Sequence, residues 1–354
     1  MSNHNEYLFP LIEIEYQIFG YLNPLTDFKQ LSLVNKYYHE FVVNDKLHLA
    51  LKKFYEDKKK SAKIKIDTTQ LTEEENNFIL ACRYGHLLVA KYLYSKHRIN
   101  IHVNNEDAFT WTCHGGHLEI AKWLCDLGKN INSLINIHAD NEGAFRWSCH
   151  EGHLEIAKWL YHLGLESNFP IDIHAENENA FRFSCLEGHL EIVRWLHNLG
   201  KEINSPINIH AENGLAFRFS CQEGHLKVAK WLYNLGKEIG EPIINIHADN
   251  EITFRYSCYG GHLEVVKWLY NLGKEIGSPI DIHISNEIIF RDTCRGGHLE
   301  VVKWLYNLGK EIDSPINIHA DNKDAFRRAW EKQHWEIIEW FCTLSNEYQI
   351  EISS

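Results

Sequence analysis

The stretch "SCHEGH" from Ser148 to His153 sets Cys149, His150 and His153 within five residues. Thiolate and imidazole are favoured ligands of tetrahedral zinc, and a thiol beside an imidazole is a common nucleophilic pair. Zinc requires about four ligands converging within roughly 2.0 to 2.3 Å of the metal. The stretch does not have the His-Glu-x-x-His spacing that places two imidazoles on one helical face. A third reading is packing, because a free cysteine behaves as a small buried hydrophobe.

The motif is not singular. Cys82, Cys113, Cys149, Cys185, Cys221, Cys258 and Cys294 each stand three residues ahead of a glycine. Gly-His pairs recur at Gly85-His86, Gly116-His117, Gly152-His153, Gly188-His189, Gly224-His225, Gly261-His262 and Gly297-His298, with Gln333-His334 in the eighth place. The intervals between them are 31, 36, 36, 36, 37, 36 and 36 residues. A catalytic nucleophile acts at one place, and nothing here marks out one unit. Ligands on successive units would have to meet across helix-packing distances of about 10 Å, which is too far for one metal ion. The sequence therefore supports no catalytic residue, no metal and no cofactor, and it assigns the thiols to packing. An even disulfide framework is also unexpected with one cysteine per unit.

Two further histidine and tryptophan columns share the period. The histidines of the Gly-His pairs, His153 among them, are expected to bond backbone groups and pin neighbouring units. A second column, His102, His138, His174, His210, His247, His283 and His319, follows an extended Ile-x-Ile and suits either structural bonding or a pH-sensitive partner contact. Trp123, Trp159, Trp195, Trp231, Trp268, Trp304 and Trp340 are expected to pack between units.

The elements that hold these columns follow from the apolar spacing. Leu154, Ile156, Ala157, Trp159, Leu160 and Leu163 form one broad helical face, and Gly164 is expected to close that helix in a left-handed conformation. Glu142 to His150 predicts a shorter first helix, with the Gly-His as the turn between the two. "NSPINIHAEN" from Asn204 to Asn213 is extended, and Asn213 with its equivalents suits positive φ. Such units cannot bury their apolar faces alone, so they predict a stacked array.

A helical hairpin ending in "GHLEVVKWLYNLG", Gly261 to Gly273, resembles the ankyrin repeat. The departures are systematic: Phe-Arg replaces Leu-His, Ser-Cys replaces Ala-Ala, Trp replaces Leu, and the loop is longer. The resemblance covers about residues 71 to 345 and is similar to the arrays encoded by large DNA viruses of amoebae. It implies a protein client held by loop tips and the inner face of the first helices. Columns that vary against the repeated background are candidates for that face: Trp147, Phe183, Phe219, Tyr256 and Asp292, with His150, Leu186, Gln222, Tyr259 and Arg295 beside them. Drift after duplication is the alternative. In the last unit Trp330, Gln333 and Trp335 break the pattern, as terminal repeats do.

Residues 7 to 55 lack the repeat. Apolar stripes through Ile14, Ile18, Phe19 and Leu22 and through Phe28, Leu31 and Val34 predict short helices. The segment is similar to an F-box on Pro10, Glu13, Ile14, Ile18, Phe19, Leu22, Asp27, Phe28, Val34 and, in place of Trp, Tyr38. Two single-residue insertions depart from that pattern, and a plain helical cap is the alternative. The resemblance implies binding of the Skp-type adaptor of cullin-RING ubiquitin ligases through Pro10, Ile14, Ile18, Phe19, Leu22, Val34 and Tyr38. "EDKKKSAKIKID", Glu56 to Asp67, is expected to be a solvated connector.

The expected architecture is all-α: a helical F-box-like segment at 1–55, a lysine-rich linker at 56–70, and an ankyrin-repeat solenoid of about eight helix-turn-helix units at 71–354. The 354 residues carry a net charge of -12, which opposes a phosphate backbone and so excludes nucleic acid as a partner. No apolar run reaches the roughly 20 residues of a membrane helix. The N-terminus lacks a basic start and a cleavage site, so a cytoplasmic protein is expected, in the host cytoplasm if viral, with the nucleus as an alternative. Outside its complexes it is expected to be a monomer.

Overall fold

The computed structural model describes residues 46–60, 71–240 and 244–344. Among these residues there are seventeen helices and no strand. A single helix, α1 (Lys46–Lys60), comes first. Eight pairs follow: α2 (Glu73–Arg83) with α3 (Leu87–Lys96), α4 (Val103–His114) with α5 (Leu118–Asn130), α6 (Ala139–His150) with α7 (Leu154–Glu166), and α8 (Ala175–Leu186) with α9 (Leu190–Glu202). Then come α10 (Ala211–Gln222) with α11 (Leu226–Glu238), α12 (Ala248–Tyr259) with α13 (Leu263–Glu275), α14 (Ile284–Gly296) with α15 (Leu299–Glu311), and α16 (Ala320–Glu331) with α17 (Trp335–Leu344). The chain forms two compact units, residues 1–144 and 145–354, divided inside α6.

In the first unit α1 packs on α3. Phe54 of α1 is fully buried, edge-on to His86 at 5.6 Å between ring centroids. Asp57 lies 3.2 Å from His86 Nε2, and Lys58 Nζ donates to Asn77 Oδ1 at 2.7 Å. The helix thus runs through residue 55 into the lysine-rich stretch, where residues 56–60 are helical with Asp57 and Lys58 in contact with the first pair, while the sequence predicts a solvated connector there. α2 begins on a capping box, in which the Thr72 hydroxyl accepts from the Glu75 amide and the Glu75 carboxylate accepts from the Thr72 amide.

In the second unit the first helices α8, α10, α12, α14 and α16 lie side by side. Phe181, Phe217, Phe254 and Phe290 of these helices are buried to 1 % exposure or less. Burying each such ring contributes roughly 2 to 3 kcal/mol. The tryptophans join neighbouring pairs, as their spacing predicts. Trp268 of α13 lies 6.1 Å from Phe217 and 6.2 Å from Tyr233, both on the preceding pair, and Trp195 meets Phe145 and Tyr161 in the same way. In the first unit Trp123 repeats the arrangement against Phe78 and Tyr94.

Two features of the loops differ from the sequence reading. α7 continues past Gly164 to Glu166, and the left-handed residue is Asn168. Gly164 is instead a point of close approach, because a Cβ there would lie 2.8 Å from the Phe169 carbonyl oxygen and 3.0 Å from the Ile171 nitrogen. The returning Ile-x-Ile strap occupies that space. Positive φ also extends beyond the expected Asn141: Asp140, Asn141 and Glu142 have φ of 55°, 50° and 65°. Right-handed helix therefore starts at Gly143, and equivalent left-handed turns open the first helices of the other pairs from α4 to α16.

Candidate protein-binding surface

The thiol column lies in the interior. Cys82, Cys113, Cys149, Cys185, Cys221, Cys258 and Cys294 have no exposed surface. Burial raises each of these thiols well above the usual range, which opposes the thiolate that metal binding or nucleophilic attack requires. Among the described residues no three potential metal ligands converge. The neighbouring Ser184 hydroxyl donates to the Cys149 carbonyl of the preceding pair at 3.0 Å and to Ala180 in its own helix at 2.7 Å.

The Gly-His histidines bind the pairs together. His117 Nε2 lies 2.9 Å from the Arg83 carbonyl oxygen, and His334 Nε2 lies 2.9 Å from that of Arg295. His189, His262 and His298 bond the carbonyls of His150, Gln222 and Tyr259. Gly152, at φ 84°, leaves room for the His189 ring, because a Cβ would approach it to 2.6 Å. The expected pinning role is what the geometry shows, with the carbonyl acceptor on the preceding unit.

The second histidine column is paired as well. His174 Nδ1 meets Glu178 Oε1 at 2.9 Å, and the same oxygen accepts from the Asn208 amide at 3.0 Å. Glu106 and Glu287 repeat both contacts, and the Glu142 and Glu251 carboxylates meet His138 and His247. These carboxylates are buried and lie outside the thiol, imidazole and indole columns of the sequence. A glutamate four positions after each such histidine was the available signal, and it fails only where Gly214 and Lys323 replace it. Since hydrogen bonds to a charged group are worth about 1.5 to 3 kcal/mol, this column is a structural clip.

With those groups absorbed, the face of the first helices remains. Trp147, Tyr256 and Tyr259 are 37 %, 41 % and 42 % exposed. His150, Phe183, Leu186, Phe219 and Gln222 are half-buried beside them. The rings run in contact: Trp147 to His150 at 5.2 Å, His150 to Phe183 at 5.4 Å, and Phe183 to Phe219 at 6.0 Å. Asp292 departs from this pattern and corrects the sequence reading. It is 6 % exposed, held by Arg255 Nε at 2.5 Å and Arg328 Nη1 at 2.6 Å, so its carboxylate is spent within the array. A carboxylate buried at that place needs its two guanidinium partners. Arg295, one turn away, is exposed. Pro10, Ile14, Ile18, Phe19, Leu22, Val34 and Tyr38 lie outside the described residues.

A family model described as "Ankyrin repeats (3 copies)" matches residues 47–135, 78–171 and 147–243, together more than half of the chain. The chain belongs to the ankyrin-repeat family. Among solved structures it is similar to an X-ray structure of an ankyrin repeat family protein from Legionella pneumophila, at 20% identity and a TM-score of 0.32, over 68% of this chain and 73% of that one. No curated protein matches it. The helix pairs, the tight Gly-His turn and the exposed first-helix face are those of an ankyrin-repeat protein-interaction module. No helix among the described residues is long and apolar enough to cross a membrane.

Proposed function

We propose that the chain is a non-enzymatic substrate receptor. Its ankyrin pairs hold a protein client on the first-helix face, and its N-terminal segment engages the Skp-type adaptor of a cullin ubiquitin ligase. The client half of the reading is carried by the aromatic run from Trp147 through His150, Phe183 and Phe219 to Tyr256 and Tyr259, because exposed aromatic side chains are the usual anchors of protein interfaces. The adaptor half rests on the F-box-like residues Pro10, Ile14, Ile18, Phe19, Leu22, Val34 and Tyr38.

A scaffold with no ligase link is the second reading. It is favoured at the end of that segment by the burial of Phe54 and the contacts of Asp57 and Lys58, which make α1 a cap on the first pair. A pull-down with purified Skp-type adaptor separates the two. The receptor reading expects capture by the intact chain and its loss in Ile18→Asp/Leu22→Asp, whereas an intact, folded chain that ignores the adaptor leaves the scaffold.

A further inference from the structure

The first-helix face changes character along the second unit. From Trp147 to Tyr259 it is aromatic, and at α14 and α16 it becomes cationic. Arg295, Arg327, Arg328 and Lys332 line one open cleft of ≈ 360 Å³ together with Asp324 and Glu331. Asp324 is itself consumed inside the protein: its carboxylate bonds Arg327, and it lies 3.0 Å from Arg291 Nη1 and 2.5 Å from Arg328 Nε. Among the described residues Arg295 and Lys332 make no ion pair, and both are exposed. Arg327 and Arg328 are the arginines that hold Asp324 and Asp292, so Arg295 and Lys332 stand against the one remaining carboxylate of Glu331, a local cationic excess in a chain whose net charge is -12.

We propose that the client segment held by this face is an extended peptide with apolar or aromatic side chains along its length and acidic residues at one end, the acidic end seated between Arg295, Arg327 and Lys332. The proposal rests on the client-binding reading above and gives it a chemistry. Adjacent first helices are separated by about 10 Å, so the run from Phe183 to the cleft, four helices further on, spans about 40 Å. An extended chain rises about 3.3 Å per residue, so a segment of about twelve residues reaches from the aromatic rings to the cations. Arginine matches carboxylate geometry, and an exposed cation with no internal partner loses no ion pair when a client carboxylate arrives. A single-stranded nucleic acid could use the cations and also stack its bases on the rings, but the net charge of -12 opposes a phosphate backbone, which favours a peptide carboxylate as the occupant.

The test is selection of random twelve-residue displayed peptides on the full-length chain, in parallel on Arg295→Glu/Lys332→Glu and on Tyr256→Ser/Tyr259→Ser. All four side chains are exposed, so the unfolding midpoints should match that of the unaltered chain. The expected selection from the unaltered protein is aromatic or Leu residues with Asp or Glu clustered at one end. Replacing those acids with Asn and Gln should weaken binding at least tenfold, and the charge-reversed variant should select Lys or Arg there instead. Peptides without acidic bias, or acidic peptides that bind the charge-reversed variant undiminished, overturn the proposal. No selection at all also overturns it, while a folded client, absent from such a library, would still be open. Single-stranded RNA of twelve nucleotides binding as tightly as the best acidic peptide would make the cleft a polyanion site and likewise overturn it.

Discussion

Glu178 Oε1 lies 2.9 Å from His174 Nδ1 and 3.0 Å from the backbone nitrogen of Asn208, so one buried carboxylate joins its own turn to the loop of the next pair. Gly214 occupies the corresponding place one pair later, at φ 73° with open space where a Cβ would stand. Glutamates hold that backbone at φ 59° to 72° in five other pairs. Gly214→Glu is therefore expected to supply a clip between His210 and the Asn245 amide and to stabilise the chain by about 1 kcal/mol, the hydrogen bonds outweighing the left-handed cost. Glu178→Ala should lose about 2 kcal/mol. Urea unfolding of the two variants checks both signs, and a destabilised Gly214→Glu would contradict the clip.

Trp268 stands between Phe217 and Tyr233 of the preceding pair. It is half-buried, so Trp268→Ala is expected to cost about 3 kcal/mol, at the lower end for a large aromatic deletion. A loss below about 1 kcal/mol would mean that the tryptophan column does not join the pairs.

Two glycines separate conformational from steric demands. Gly152→Ala meets both a left-handed backbone and the His189 ring, whereas Gly164→Ala sits in right-handed helix and meets the Phe169 carbonyl. Both should destabilise by more than about 1 kcal/mol. A stabilising Gly164→Ala, the ordinary outcome inside a helix, would show that the strap does not press on that position.

The pinning histidines set the acid limit. Burial holds His189, His262 and His298 below the ordinary imidazole value of 6.5. Below that value the unfolded chain takes up protons that the folded chain does not, so their contribution to stability is lost as pH falls from 6.5 through the folded values. The urea midpoint should drop between pH 7 and pH 5. Imidazole NMR titrations of these three residues should fall below 6.5, and midpoints above it would contradict the burial of the rings, since the carbonyl contacts by themselves raise the value.

Thiol chemistry gives a separate check. Of the nine cysteines only Cys342 is partly exposed, and burial pushes the Cys125 thiol up to about 12. A disulfide reagent at neutral pH should modify Cys342 first and the others only on unfolding. Rapid native modification of Cys149 would contradict the packing role of that column.

Much of this architecture was legible because it repeats. Gly152, Cys149, His153 and Trp159 recur at a fixed interval, and the packing that each implies is local to a helix pair or to its neighbour. What stayed hidden depends on approach across the loop. Gly164 looks like a helix terminator until the strap through Ile171 is seen to pass over it. Asp292 looks like a variable surface residue until Arg255 and Arg328, from the pairs on either side, close on it. The glutamate column recurs with equal regularity, but its function depends on an amide thirty residues further on.

The most direct test of the binding face is quantitative affinity capture from the producing cell with three forms of the full-length chain: unaltered, Trp147→Ser/Tyr256→Ser/Tyr259→Ser, and a control in which the exposed Leu165, Ile203 and Ile239 are changed to Ser. With unfolding midpoints matched, the face variant should lose the captured partners at least tenfold and the control should retain them. Retention by the face variant and loss by the control would place the client elsewhere on the molecule.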